Sequence, residues 1–258
     1  MRSKRLVEQL RQQDWVAVAI EFVIVVVGVL LAMQVSNWNE QRLERERGRA
    51  YDERIVTELR SNIDDMDQRA AYAEQVIGHA EAALASFHKS PSAMGEQFLV
   101  DLYQASQIQT GSITRASYDE AISSGALLNV GDPRLRVRLA NYFAVAQSSI
   151  AIWDEATPYR NRIREILPDA VQGPIQAHCN DILSTDAQGM IAARLPSQCT
   201  LHLTPQQIAQ AVAVVRAAPN LQADLTRCLS STRQKVIQYQ SVSHAAAELV
   251  EAMARRQQ

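Results

Sequence analysis

The hydrophobic pattern divides the chain near its start. Residues 16–35 read VAVAIEFVIVVVGVLLAMQV, a run of apolar side chains carrying one acidic residue, Glu21. At a rise of 1.5 Å per residue, about 20 such residues match the roughly 30 Å hydrocarbon core of a bilayer. Trp15 and Trp38 bracket the run, and amphipathic indoles favour the headgroup level. The segment between them reads as a transmembrane helix rather than the core helix of a soluble domain. The tail 1–14 is basic, with Arg2, Lys4, Arg5 and Arg11, as in a secretory signal. The apolar run is too long for a cleaved h-region, and no A-x-A site follows it, so an uncleaved signal anchor is expected.

Beyond the span the pattern becomes helical and amphipathic. No proline precedes Pro91, so nothing forces a break between the anchor and a following stalk. Residues 39–49 are charged with mixed signs, as in a solvated helix leaving the bilayer. From Leu59 a 4-3 apolar spacing begins: Leu59, Ile63, Met66, Ala70, Ala73, Ile77, Ala80, Leu84, Phe87. Val76 and Ala83 widen this face beyond a two-stranded seam, which favours packing within the chain's own bundle over a dimeric coiled coil.

Turn and cap signals divide the remainder. HKSPSAMG at 88–95 predicts a turn, and a short helix follows over 96–105. Ser117 and Glu120 have the spacing of a capping box, with Gly125 as the stop. Asp132-Pro133 opens a longer helix whose buried face is Leu135, Leu139, Tyr142, Ala146, Ile150 and Trp153. Thr157-Pro158 kinks it or starts another, running to about 167. Residues 168–203 lack periodicity and read as an irregular cap with at most one short helix. Thr204-Pro205 starts the next helix, and Asn220 is expected to cap the last. That last helix repeats the 4-3 spacing at Leu225, Leu229, Thr232, Val236, Tyr239, Ser243, Ala246, Val250 and Met253. An antiparallel pairing with the stalk would return Arg255 and Arg256 toward the membrane. The expectation is an all-α protein. Its N-terminal transmembrane helix is continuous with a long stalk helix packed into a helical bundle. Residues 1–14 are the basic tail, 15–38 the anchor and 39–258 the soluble helical domain.

Composition changes this picture little. Sparse glycine and proline favour helix. The formal net charge of -2 and the lack of a basic stripe argue against nucleic-acid binding. Orientation is nearly balanced: the tail and its α-amine face Arg42, Arg45, Arg47 and Arg49 on the other flank. The amine and the short tail tip the balance toward a cytoplasmic N-terminus. The large domain would then be periplasmic, on a bacterial inner membrane.

Candidate chemistry lies in three places. Within the span, Glu21 costs up to a few kcal/mol unless paired or solvated near a leaflet boundary. Gly28 and Ala32 form a small-xxx-small pair that admits close helix approach. Elsewhere, Cys179, Cys199 and Cys228 allow a disulfide in an oxidising compartment, with Cys179–Cys199 the first choice and Cys199–Cys228 the other. His178, Cys179, Cys199 and His202 could instead hold zinc, but adjacent His178 and Cys179 depart from the usual knuckle spacing. The segment at Tyr118 admits a ligand pocket or simple cap-and-turn packing. His79 and His88 read as surface residues near a helix end. No nucleotide, metalloprotease or nucleophile-elbow motif occurs, so no cofactor is expected.

Two stretches carry a resemblance. EFVIVVVGVLLAMQVSNWNE at 21–40 and YDEAISSGALLNVGDPRLRVRLANYF at 118–143 resemble a family of uncharacterised bacterial single-pass membrane proteins, a domain of unknown function. Glu21, Gly28, Leu30, Ala32, Gln34, Asn37, Trp38, Asn39 and Glu40 match its anchor pattern; Tyr118, Ser124 and Gly125 match a second segment. The resemblance covers about a fifth of the chain. It implies bacterial membrane anchoring and helical structure, and no activity. The expected function is a non-enzymatic, membrane-anchored helical module that assembles in the bilayer with a partner membrane protein or a second copy. A ligand-sensing domain comes second and a membrane-associated enzyme with a Cys/His site third.

Overall fold

The computed structural model describes residues 15–185, 189, 191–196 and 199–255. The basic tail 1–14 and Arg256 lie outside the described residues. The chain forms α1 (Trp15–Ser86), α2 (Glu96–Gln104), α3 (Ala116–Ser123), α4 (Pro133–Trp153), α5 (Pro158–Ile166), α6 (Asp169–His178), β1 (Ile182–Thr185), β2 (Ile191–Arg194), α7 (Pro205–Ala217) and α8 (Leu221–Ala254). Short 3-10 turns occupy Pro91–Ala93 and Ala126–Asn129.

Helix α1 is the axis of the molecule. Its 72 residues run unbroken from the apolar segment into the bundle, a length of roughly 108 Å. Its first part is long and apolar enough to cross a membrane. Every residue from 18 to 47 is exposed, so no other described part of the chain covers it. Gly48 is the first buried position. A Cβ there would lie 2.5 Å from the Asn129 carbonyl oxygen, so glycine admits the 3-10 turn directly against the helix. The bundle thus begins about ten residues, or roughly 15 Å, beyond Trp38.

The 34-residue α8 packs along α1. Arg233 pairs with Glu81, and Ser243 donates to Asp67 at 2.8 Å. The partner number falls as α8 advances, so the helices are antiparallel. Their 4-3 rows meet: Leu59, Met66, Ala73 and Ala80 are buried, as are Leu225, Leu229, Tyr239 and Ala246. Each fully buried large apolar side chain contributes on the order of 1.5–3 kcal/mol. By this register α8 ends level with about residue 57 of α1. Arg255 therefore heads toward the apolar segment of α1 but stops roughly 28 Å short of Trp38.

Two apolar cores lie along this pair. The core distal to the apolar segment joins Ala80 and Ala83 to α2, α5, α6, α7 and the start of α8. The proximal core joins Ile55, Leu59 and Met66 to α4, Ile113, Tyr118 and the end of α8. Asp132 caps α4 by accepting from the Leu135 amide at 2.8 Å, Thr157 caps α5, and Thr204 with Gln207 forms a capping box on α7.

Several expectations are corrected. Ser117 and Glu120 form no capping box, because α3 begins two residues earlier and Arg115 occupies the N-cap. Its free amides are met from another helix: the Glu58 carboxylate on α1 accepts from the amides of Ser117 and Tyr118. Glu120 instead receives Arg54 and Tyr51. These contacts hold its carboxyl below the usual range. Asn220 precedes α8 but makes no side-chain cap; its φ of 63° places it in the left-handed turn that joins α7 to α8. The segment 168–203 is more regular than its sequence suggests. It holds α6 and an antiparallel hairpin pairing Ile182 with Arg194 and Thr185 with Ile191. Strands of four residues, exposed throughout in β1 and at both ends of β2, leave no period to read. His79 is partly buried and bonds Asp101 at 2.8 Å rather than facing solvent.

Candidate functional site

Two places concentrate features that packing alone does not require. The first is the apolar part of α1. At 100° per residue, Glu21, Val25, Gly28 and Ala32 fall within about 60° of one another, on one stripe. Nothing lies within 4 Å of a Cβ built on Gly28. Trp38 is exposed at the end of the run, and Trp15 opens the helix roughly 35 Å away.

The second place is the junction between the two cores. Here α1 carries Asn62, Asp65, Arg69 and Val76, and α8 carries Cys228, Thr232, Lys235 and Tyr239. The Arg69 side chain is 1% exposed. Its Nε donates to Asp65 at 2.8 Å, and Nη1 stands 3.9 Å from Asp154. Neither Nη1 nor Nη2 has a hydrogen-bond partner among the described residues. Burial raises the Asp65 pKa, with Arg69 opposing that rise. Burial also lowers the pKa of Lys235, whose ammonium donates to the Trp153 carbonyl at the end of α4. The Trp153 indole in turn donates to Gln238 at 2.8 Å and meets the Tyr239 ring edge-on.

The loop between α2 and α3 covers this junction. Its start is held by Arg160, which donates to the Ser106 carbonyl, and by Arg164, which donates to Gln107 at 3.2 Å. Its end is pinned by Asn62, which accepts from the Thr114 amide at 2.8 Å and donates to the Thr114 carbonyl at 2.9 Å. Between these anchors Gly111 lies against the guanidinium: a Cβ there would meet Arg69 Nη2 at 1.2 Å. The loop and the two helices enclose a cavity of about 30 Å³ lined by Arg69, Tyr72, Gln109, Thr232, Lys235 and Tyr239, among others.

The structure keeps the other sequence-level candidates apart from these places. Cys179 and Cys199 form a disulfide with Cα atoms 5.5 Å apart, tying the end of α6 to the segment before α7. Both sulfurs of the zinc alternative are thereby consumed, and no metal-ligand cluster occurs among the described residues. Cys228 is a free, buried thiol whose pKa burial raises. Tyr118 is buried and stacks on Phe143 with ring centres 4.4 Å apart, which is packing rather than a pocket.

Sequence reading missed Arg69. It sits seven residues from Asn62 and seven from Val76, on the flanking row that includes Val76 and Ala83. A polar residue on such a row ordinarily reads as solvated, so the signal existed but pointed outward. No family model matches the chain, and neither a curated protein nor a solved structure is significantly similar to it.

Proposed function

We propose that the protein is a non-enzymatic, single-pass membrane module. It assembles through the span of α1 with a partner membrane protein or a second copy, and carries its helical bundle in the periplasm. The observation that supports this most is the uncovered stripe of Glu21, Val25, Gly28 and Ala32. A carboxyl at this depth is costly unless a partner or water meets it, and small residues let a second helix approach. The resemblance of 21–40 and 118–143 to bacterial single-pass membrane proteins points the same way. The Cys179–Cys199 disulfide suits an oxidising compartment and so favours a periplasmic bundle. The non-enzymatic reading rests on the lack of a catalytic motif in the sequence.

Glu21→Ala and Gly28→Ile test the assembly. Each is expected to reduce the complexes recovered in mild detergent. Unchanged complexes in both variants would refute it. Orientation is read separately by labelling single cysteines placed on either flank of the span.

A second reading, ligand sensing, is favoured by the Arg69 junction. Arg69 and the span belong to the same unbroken helix, so a displacement at one has a rigid path to the other. The third reading, an enzyme built on a Cys/His site, loses its thiols to the disulfide.

A further inference from the structure

We infer that the cavity at the junction of the two cores is a binding site for a small carboxylate, with Arg69 as its principal ligand. The inference supplies a ligand class for the sensing reading and rests on that reading only for its consequence, not for binding.

The charges point to an anion. Arg69 and Lys235 are the two ionic side chains that line the cavity, and both are cationic. Asp65 and Asp154 hold the guanidinium without lining the cavity. Of the hydroxyls in the lining, Tyr72 already donates to Asp181 and Thr232 to the Cys228 carbonyl, which leaves the Tyr239 hydroxyl to donate to an anion.

The hydrogen-bonding state of Arg69 points to the same chemistry. A guanidinium has five donors in a planar fork. The Nε donor is used by Asp65, but Nη1 and Nη2 have no hydrogen-bond partner among the described residues. Leaving buried donors unsatisfied is costly, more so for a charged group. Nη2 lies against Gly111, outside the cavity lining, so Nη1 is the donor left for a carboxylate oxygen, with the Lys235 ammonium as the second cation.

Size then limits the ligand. A cavity of about 30 Å³ has room for roughly two water-sized groups, at 10–15 Å³ each. That suits a carboxylate head and excludes a bulky acid held entirely inside. Gly111 fixes the position of the fork, because any side chain there would collide with Nη2.

Acetate is the probe. The full chain, in detergent micelles, is titrated with sodium acetate against sodium chloride at constant ionic strength, with acetamide as the neutral isostere. Thermal unfolding is followed by fluorescence. Acetate at about ten times its apparent Kd is expected to raise Tm by roughly 3–6 °C, saturably. Arg69→Lys, Lys235→Met and Gly111→Ala are each expected to weaken the apparent Kd at least tenfold. Lys235→Met leaves Arg69 and its contacts in place, so it decides the matter if Arg69→Lys or Gly111→Ala, whose methyl would meet the buried guanidinium, fails to fold. A shift equally produced by chloride or acetamide, no saturable shift, or an acetate effect intact in Gly111→Ala and Lys235→Met would overturn the site. Cross-linking of Gly28→Cys with and without acetate separates the sensing reading. Unchanged cross-linking with intact acetate binding refutes sensing while supporting the site.

Discussion

Replacing Asn62 by alanine tests how the loop over the junction is held. The Asn62 side chain is 1% exposed and satisfies both backbone groups of Thr114, at 2.8 and 2.9 Å. Each such bond contributes about 0.5–1.5 kcal/mol net, so losing both should cost roughly 1–3 kcal/mol. The cost stays within that range because Thr114 is exposed, and water can reach its freed amide and carbonyl. Urea unfolding of the full chain should show a lower midpoint and an unchanged slope, since the native surface is preserved. With slopes of about 1–3 kcal/mol per molar, the midpoint should fall by on the order of 1 M. Residues 107–115 should also become the preferred site of limited proteolysis, because their second anchor is gone. A loss below about 0.5 kcal/mol with unaltered proteolysis would refute the argument that Asn62 fastens the loop.

Three further outcomes follow from the same contacts. Glu58→Ala should destabilise the protein by about 1–2 kcal/mol, measured by urea unfolding, because two α3 amides lose a buried carboxylate. Reducing the Cys179–Cys199 bond should cost on the order of 3 kcal/mol in the chain-entropy model. Thiol titration should find buried Cys228 only after unfolding. Asp65 titrates above its unfolded value of 3.8, so the native state binds its proton more readily than the unfolded chain. Its contribution to stability therefore grows as pH falls through the folded value toward about 3.8. In Asp65→Asn that growth should vanish, seen as a steeper loss of stability on acidification than in the unaltered protein.

The parts of this fold that were legible in the sequence are those governed by local chemistry. Asp132-Pro133, Thr157-Pro158 and Thr204-Pro205 each open a helix because cap and proline act within one turn. The 4-3 rows of α1 and α8 were legible because long helices repeat their signal many times. What was not legible depends on residues far apart in sequence. Ser117 has the spacing of a cap, yet Glu58, 59 positions away, takes its amide. The hairpin after α6 is set by pairing between strands too short to show a period. Arg69 lies on a row that local pattern assigns to solvent, and only the loop at 107–115, folding back across it, turns that row inward.

That row ties the two candidate places together. Asn62, Arg69, Val76 and Ala83 recur every seven residues on α1, and all four are buried. The row is polar at Asn62 and Arg69 and apolar at Val76 and Ala83. Packing alone does not require an ion pair on this row, since an apolar replacement of a buried pair such as Arg69 with Asp65 is often neutral or favourable. The polar half instead fastens a loop through Asn62 and places Arg69 in the wall of a cavity. Both lie on the helix that carries Glu21 and Gly28, with no proline between 15 and 86 to absorb a rotation. The sensing reading requires that a change in how Arg69 is held reach the span through α1. Gly28→Cys cross-linking should respond to Gly111→Ala even though the two positions share no contact. An unaltered cross-linking pattern in that variant would refute coupling between Arg69 and the span.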